Sequence, residues 1–346
     1  MSVETILEVA KGLVVAPAGC GKTHLITETL KYKQSKPYLV LTHTTAGVAA
    51  LKQRLKRLRV PSNNFVVSTI DGWALRVAKM FPNSCVIQST PTNPRVFYPD
   101  LRKKVNEYIS AGNIVEIIRS SYSRLLVDEY QDCVVDQHKL ICSLSEVLPT
   151  VVFGDPMQRI FTFSGPMPLW DKDVKARFPL ITELNTPWRW NNAKTPELGQ
   201  WILNCRDALL KGGSIDLLGC PAHVHWNQLS DNAHKNIQTQ NQAQYRIRTE
   251  NNVEDSLLII GDSRNFRSRH KFASSARGID VVEPVDLGDV TEMASNMDNL
   301  NGSELADTIL SSVSLMMTGV GRSNINKRIS TILAENLSGI SDLLEI

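Results

Sequence analysis

The chain has 346 residues, 42% of them hydrophobic and 21% charged, and a formal net charge of +3. That composition suits a globular protein with room for two cores, the charge alone does not establish a nucleic-acid partner, and no apolar run approaches the roughly 20 residues that cross a bilayer. The start Met-Ser-Val-Glu-Thr lacks signal-peptide character, and the six cysteines (Cys20, Cys85, Cys133, Cys142, Cys205, Cys220) show no Cys-x-x-Cys pairing, so a cytoplasmic setting with free thiols is expected rather than disulfides or zinc.

Taken in chain order, Leu13-Val14-Val15 reads as a short buried strand. It runs into the small-residue turn Ala16-Pro17-Ala18-Gly19-Cys20-Gly21, then Lys22 and Thr23 open a helix that carries Leu25, Ile26 and Leu30. Strand, glycine-rich turn and helix N-terminus in this order make a phosphate cradle. Gly19 and Gly21 let the backbone curl so that its N–H groups face an anion. Lys22 reaches the β- and γ-phosphates, and Thr23 offers its hydroxyl to Mg²⁺. Residues 16–23 are therefore expected to bind a nucleoside triphosphate, although Ala16 stands where the strict pattern has glycine.

Residues 24–34, 45–58 and 135–147 are amphipathic stretches of helical length. Two basic clusters, one from Lys52 to Arg59 and one at Arg102, Lys103 and Lys104, fit either a nucleic-acid contact or a solvated helix face. The run Leu125-Leu126-Val127 ends in Asp128-Glu129, as a buried parallel strand does when it delivers acids to its carboxyl edge. Asp128 is suited to hold Mg²⁺, and Glu129 to polarise the water that attacks the γ-phosphate; a capping pair at a helix start is the alternative.

A further strand, Val151-Val152-Phe153, ends in Gly154-Asp155-Pro156-Met157-Gln158. Gln158 is placed to sense the γ-phosphate or orient the lytic water. Phe161 and Phe163 either stack bases of a single strand or belong to the core. Strands alternating with amphipathic stretches predict an α/β fold with a parallel sheet covered by helices. Beyond it, residues 195–211 read as a helix and 228–254, rich in Asn and Gln, as a linker or exposed loop. Strand-like runs follow at Leu257-Leu258-Ile259-Ile260-Gly261 and Val281-Val282, then a helix over 304–317.

In this order the motifs resemble the N-terminal part of a superfamily 1 DNA helicase of the UvrD type. Ala16 to Thr23 resembles that family's Ala-Gly-x-Gly-Ser-Gly-Lys-Thr loop. Thr42-His43-Thr44-Thr45-Ala46, continuing to Arg54, resembles the segment that lies along single-stranded DNA, and Ser68-Thr69-Ile70-Asp71-Gly72 the next DNA-contacting turn. Val127 to Asp132 is similar to the Asp-Glu-x-Gln-Asp signature. Gly154 to Phe163 resembles the Gly-Asp-x-x-Gln segment, with Phe161 and Phe163 where the family has Tyr and Trp. Asn185-Thr186-Pro187-Trp188-Arg189 resembles the Asn-Tyr-Arg segment that opens the second motor domain.

The resemblance implies a RecA-like P-loop motor domain over 1–187 and a second, incomplete RecA-like domain over 188–346. It implies ATP and Mg²⁺ as cofactors. Trp188 would stack on adenine, Arg189 would touch the γ-phosphate, and Thr42, His43, Thr44, Thr69, Phe161 and Phe163 would bind single-stranded DNA. Three departures accompany it. No glutamine precedes Lys11 to read adenine, Ile70 and Asp71 stand where the family has Phe-His, and the stretch 81–120 is short for the usual inserted subdomain. The last family motifs, including the second arginine finger, find no match. The expectation is an ATP-dependent helicase or translocase, truncated before those motifs. The alternative is a non-translocating ATP- and DNA-binding module or subunit, for example of an anti-phage defence system, with a protein partner supplying the missing motor elements.

Overall fold

The computed structural model describes residues 3–160, 165–222, 224–250, 258–262, 265–275, 279, 281–282 and 287–316. Contacts divide the chain into one compact unit over Met1–Trp226 and another over Asn227–Ile346. The first is built on six parallel strands: β1 (Lys11–Val15), β2 (Tyr38–Thr42), β3 (Phe65–Thr69), β4 (Leu125–Val127), β5 (Thr150–Gly154) and β6 (Leu180–Glu183). Their order across the sheet is β3-β2-β4-β5-β1-β6.

Every residue of β2, β4 and β5 is buried, which is why these strands read as continuous apolar runs rather than as an alternating pattern. Alternation instead divides them between two cores. Leu13, Leu39, Leu41, Leu125, Val127 and Val152 enter one core, whereas Val14, Val40, Leu126, Val151 and Phe153 enter the other. Helices α1 (Val3–Glu8), α2 (Lys22–Lys31) and α3 (Thr45–Arg57) close the second of these cores through Ile6, Ile26, Leu30, Leu51 and Leu55. The first core is closed by α4 (Ile70–Met80), α5 (Pro94–Ser110), α6 (Val115–Ser121) and α7 (Val135–Ser145). Trp170, Val174 and Phe178, around the short α8 (Lys175–Arg177), complete it.

The stretch 81–120 holds α5 and α6, whose Phe97, Leu101, Val105, Ile109 and Ile118 belong to that core. It is a layer of the domain itself. After β6 come α9 (Trp188–Asn192) and α10 (Pro196–Leu210), and contacts place both in the first unit although the sequence reading starts a second domain at residue 188.

The second unit carries α11 (Ala233–Glu250), α12 (Phe266–Ser275), α13 (Leu287–Asp298) and α14 (Gly302–Met316). Two expectations are corrected there. Most of 228–254 is helical: the stretch is polar but free of Gly and Pro over α11, and Gln, Arg, Lys and Ala are good helix formers. The strand-like runs do not form strands in their described residues, Leu258–Gly261 and Val281-Val282; Leu257 lies outside those residues. Leu258, Ile260 and Val282 are 81%, 87% and 93% exposed, and a short apolar run with no neighbour to pair with does not hold as a strand.

Candidate nucleotide site

The carboxyl ends of β1, β4 and β5 open into a cleft of about 930 Å³. Residues 16–25 form one wall, Glu129 and Gln158 another, and Thr182 to Asn192 a third. The loop after β1 turns on Gly19 (φ +74°) and Gly21 (φ +95°), in the left-handed region that favours glycine. Space demands glycine as well: a Cβ on Gly19 would lie 2.6 Å from the Trp190 ring and 3.0 Å from Arg189 Cβ. Gly21 caps α2, so Lys22 and Thr23 occupy the first helical turn, where backbone N–H groups and the helix dipole favour an anion.

Lys22 is buried and ion-paired with two carboxylates. Its Nζ donates a short hydrogen bond to Glu129 Oε2 and lies 3.3 Å from Asp128 Oδ1. Burial alone would push the Lys22 ammonium down in pKa, but Asp128 and Glu129 together hold it above its ordinary value. For Asp128 burial prevails: it raises the carboxyl, reinforced by Glu129 and opposed by Lys22. Glu129 is also pushed up by burial, yet Lys22 and the Gln131 hydrogen bond bring its pKa below the ordinary value.

Glu129 sits at φ +54°, a conformation that costs a non-glycine residue about 1 kcal/mol or more. The strain turns its side chain into the cleft, and its N–H donates to Asp128 Oδ1 at 2.9 Å. A capping role is thereby set aside: Glu129 precedes the short turn Tyr130–Asp132 without a side-chain cap bond.

The donor set fits Mg²⁺ with a triphosphate. Thr23 supplies a hydroxyl and Asp128 a carboxylate, and among the described residues no cluster of three or more His, Cys, Asp or Glu side chains forms a cage. Mg²⁺ usually takes one or two protein oxygens and completes its shell with water and phosphate.

Gln158, on the short turn after β5, lines the cleft with its Nε2 donating to Asp155 Oδ2 at 2.8 Å. Gln131 links this turn to the acids: its Nε2 donates to Glu129 Oε2 (2.8 Å) and its Oε1 accepts from the Asp155 N–H (3.0 Å). Trp188 is half-exposed and stands 3.2 Å from where a Cβ on Gly21 would be. The Arg189 N–H donates to the Gly19 carbonyl at 3.1 Å, and the Arg189 guanidinium lies 5.7 Å from the Trp190 ring centroid. The loop 16–23, Glu129, Gln158, Trp188 and Arg189 thus surround a single cleft, with buried Asp128 paired to Lys22 of its wall. Trp190, Gln131, Arg54 and Arg206 also belong to it or support it without having been singled out. An aromatic on each side of Arg189 was the available signal for Trp190, the Asp-Glu-x-Gln-Asp signature for Gln131 and the basic cluster for Arg54; nothing local marks Arg206.

The residues implied for DNA gather at the neighbouring carboxyl ends of β2 and β3, where Thr42 and Thr69 are register partners. Thr42 is 2% exposed. Thr44 caps α3 by accepting from the Gly47 N–H at 3.0 Å, and Thr69 caps α4 by accepting from Gly72 at 2.9 Å. Burial lowers the His43 pKa against the pull of Asp132 and Asp71. Phe161 and Phe163 lie outside the described residues. Of the basic clusters, Arg102 is committed to Asp71 through two 2.6 Å bonds. Arg54 turns into the nucleotide cleft, while Lys52, Lys56, Arg57 and Arg59 are exposed. Among the described residues all six cysteines are free thiols, and no helix is long and apolar enough to cross a membrane.

Residues 1–164 match the family described as an AAA domain. Over 191 residues, 45% of this chain, the sequence is 26% identical to the Gabija protein GajB of Bacillus cereus (strain VD045). The match spans 39% of that relative's length. Among solved structures the chain is similar to the complex of Arterivirus nonstructural protein 10 (helicase) with DNA, at 12% identity and a TM-score of 0.35, over 65% of this chain and 45% of that one. It is also similar to the Pif1 helicase from Candida albicans, at 14% identity and a TM-score of 0.33, over 75% and 53%. The parallel six-stranded sheet flanked by helices is a RecA-like P-loop α/β fold, a nucleotide-binding fold.

Proposed function

We propose that the chain is an ATP-hydrolysing motor of the superfamily 1 helicase type, similar to UvrD, that works on single-stranded DNA in the cytoplasm. The observation that carries this reading is the meeting of Lys22, Glu129 and Gln158 with Trp188 and Arg189 around one cleft, with Asp128 paired to Lys22. The loop 16–21 cradles the phosphates with its backbone N–H groups. Lys22 leaves its pairing with Glu129 for the β- and γ-phosphate oxygens, which returns the Glu129 carboxylate to its role as base. Thr23 and Asp128 would hold Mg²⁺, which would supply positive charge to the phosphate oxygens.

Glu129 then takes a proton from a water oriented by Gln158. The water oxygen bonds to the γ-phosphorus as the bond to the β–γ bridging oxygen breaks, leaving ADP and inorganic phosphate. Arg189 stabilises the charge on the transferring group, and Trp188 stacks on the base. Single-stranded DNA runs past Thr42, His43, Thr44 and Thr69 with Phe161 and Phe163 as stacking surfaces, and residues 188–346 begin a second motor domain.

A second reading is supported by the likeness to the Gabija protein: a subunit that binds ATP and DNA without translocating, of the kind used in anti-phage defence, with a partner protein supplying motor elements. Steady-state phosphate release with and without single-stranded DNA, in the parent and in Glu129→Gln, tests the first reading. Glu129→Gln is expected to lose about 10²–10⁴-fold in turnover while still binding Mg-ATP. Turnover equal to the parent's would remove Glu129 from the chemistry, and hydrolysis without strand displacement would favour the second reading.

A further inference from the structure

A smaller hollow of about 310 Å³ adjoins the nucleotide loop, lined among others by Pro17, Asn185, Leu203 and Arg206. Arg206 rises from α10 and places Nη1 2.7 Å from Asp155 Oδ1, with side chains 15% and 2% exposed. A carboxylate that deeply buried needs both countercharge and hydrogen bonds, and Asp155 has them. Oδ1 also accepts from the Met157 N–H at 3.0 Å, and Oδ2 accepts from Gln158 Nε2 at 2.8 Å. The carboxylate that Arg206 grips is therefore the one that fixes the amide of Gln158 on the cleft wall.

We propose that Arg206 is a positioning residue for hydrolysis: it holds Asp155, and through Asp155 it sets the orientation of Gln158. Arg206 lines the hollow and not the cleft, so its effect on the reacting atoms passes through that carboxylate. Because Arg206 belongs to α10, whose buried Leu203 lines the same hollow while Leu209 and Leu210 are exposed, the placement of α10 is read out at the hydrolytic side of the cleft. Lys22 pairs with Asp128 and Glu129 rather than with Asp155, so binding is expected to depend on this link less than turnover does. Pro17 nonetheless lines the same hollow, and Cys20 of the loop feels the charges of both Arg206 and Asp155. The inference rests on the nucleotide-hydrolysing reading above.

The test compares the parent with Arg206→Met, Arg206→Lys, Gln158→Ala and the double variant Arg206→Met/Gln158→Ala. Calorimetry gives the Kd for Mg-ATP, phosphate release gives kcat, and thermal melting reports folding. Arg206→Met is expected to keep its Kd within about threefold of the parent while kcat falls by about tenfold or more. Arg206→Lys, which keeps the charge on Asp155, is expected to recover kcat to within about threefold. The double variant is expected to turn over no more slowly than Gln158→Ala alone, because both changes act at one point. Should Arg206→Met fail to melt cooperatively, Arg206→Gln takes its place, with the same expected loss in kcat.

Parental kcat in Arg206→Met or Arg206→Gln overturns the proposal, as do multiplied losses in the double variant or a Kd that weakens as far as kcat falls. A parent chain that neither binds nor hydrolyses Mg-ATP overturns the nucleotide reading itself. An active parent with an indifferent Arg206 overturns only the role given to Arg206.

Discussion

Two groups of strand ends in the same sheet use their polar side chains in opposite ways. At β1, β4 and β5 the side chains of Lys22, Glu129 and Gln158 line a cleft, where Lys22 pairs with Glu129 and Asp128 and Gln158 donates to Asp155. At β2 and β3 the hydroxyls of Thr44 and Thr69 are spent on the first turns of α3 and α4, and Thr42 is buried. Charged groups that pair with each other at a cleft wall can exchange partners for a ligand. A hydroxyl that caps a helix makes a bond the fold would otherwise lack. The same kind of motif residue thus lines a cleft in one place and caps a helix in the other.

The largest effect that sharpens this contrast is expected at the loop itself. Gly19→Val combines a positive φ with a side chain driven into Trp190, and is expected to cost about 3 kcal/mol or more and to abolish Mg-ATP binding. Gly112 provides the control, because at φ +83° it has nothing within 4 Å of a built Cβ; Gly112→Ala is expected to cost only the backbone strain, about 1–2 kcal/mol, with nucleotide binding intact. Chemical denaturation and calorimetry on both variants measure the two effects separately. Similar outcomes for the two would mean that Trp190 does not sit on the loop.

Next in size are the caps. Thr44→Ala and Thr69→Ala are each expected to lose about 1 kcal/mol of stability, whereas Thr44→Ser and Thr69→Ser keep the cap oxygen and most of that stability. Fluorescence anisotropy with a labelled single strand then asks whether these residues also bind DNA. Affinity that falls in the Ala variants but survives in the Ser variants assigns the hydroxyls a second role; unchanged affinity in all four leaves them as caps. Affinity should in any case fall steeply with salt if phosphate contacts dominate.

The smallest effect is a pH slope from His138, whose Nδ1 lies 2.7 Å from the Tyr130 hydroxyl beneath the first core. Burial lowers its pKa from the ordinary 6.5, against the pull of Asp173 and with help from Arg177. The folded protein therefore favours neutral His138. Its contribution to stability is complete above pH 6.5 and is lost as the pH falls through the lowered folded value. Denaturation midpoints measured downward from neutral pH are expected to decline less steeply in His138→Gln than in the parent. Parallel profiles would mean that His138 carries no such linkage.

How far all this was legible in the sequence follows from the same physics. β1, β4 and β5 were legible because strands buried on both faces are written as unbroken apolar runs, and the loop because only glycine tolerates its turns. β6 is a four-residue edge strand with half-exposed side chains, and it left no comparable mark. α11 was hidden by its own polarity. Among site residues, Arg206 escaped notice because its importance lies in what it touches across the fold, and an ion pair such as Arg206–Asp155 has no local pattern. For Thr44 and Thr69 the motif was visible, while the capping bonds they also make were not.

The central claim is that the cleft at the ends of β1, β4 and β5 binds a nucleoside triphosphate through Lys22. Titration of Mg-ATP into the parent and into Lys22→Ala by isothermal calorimetry tests it most directly, with a thermal melt to show that the variant is folded. A single site is expected in the parent, weakened in Lys22→Ala by about a hundredfold or more, roughly 2.7 kcal/mol, in a chain that still melts cooperatively. Equal affinity in the two proteins, or no binding to the folded parent, would contradict it.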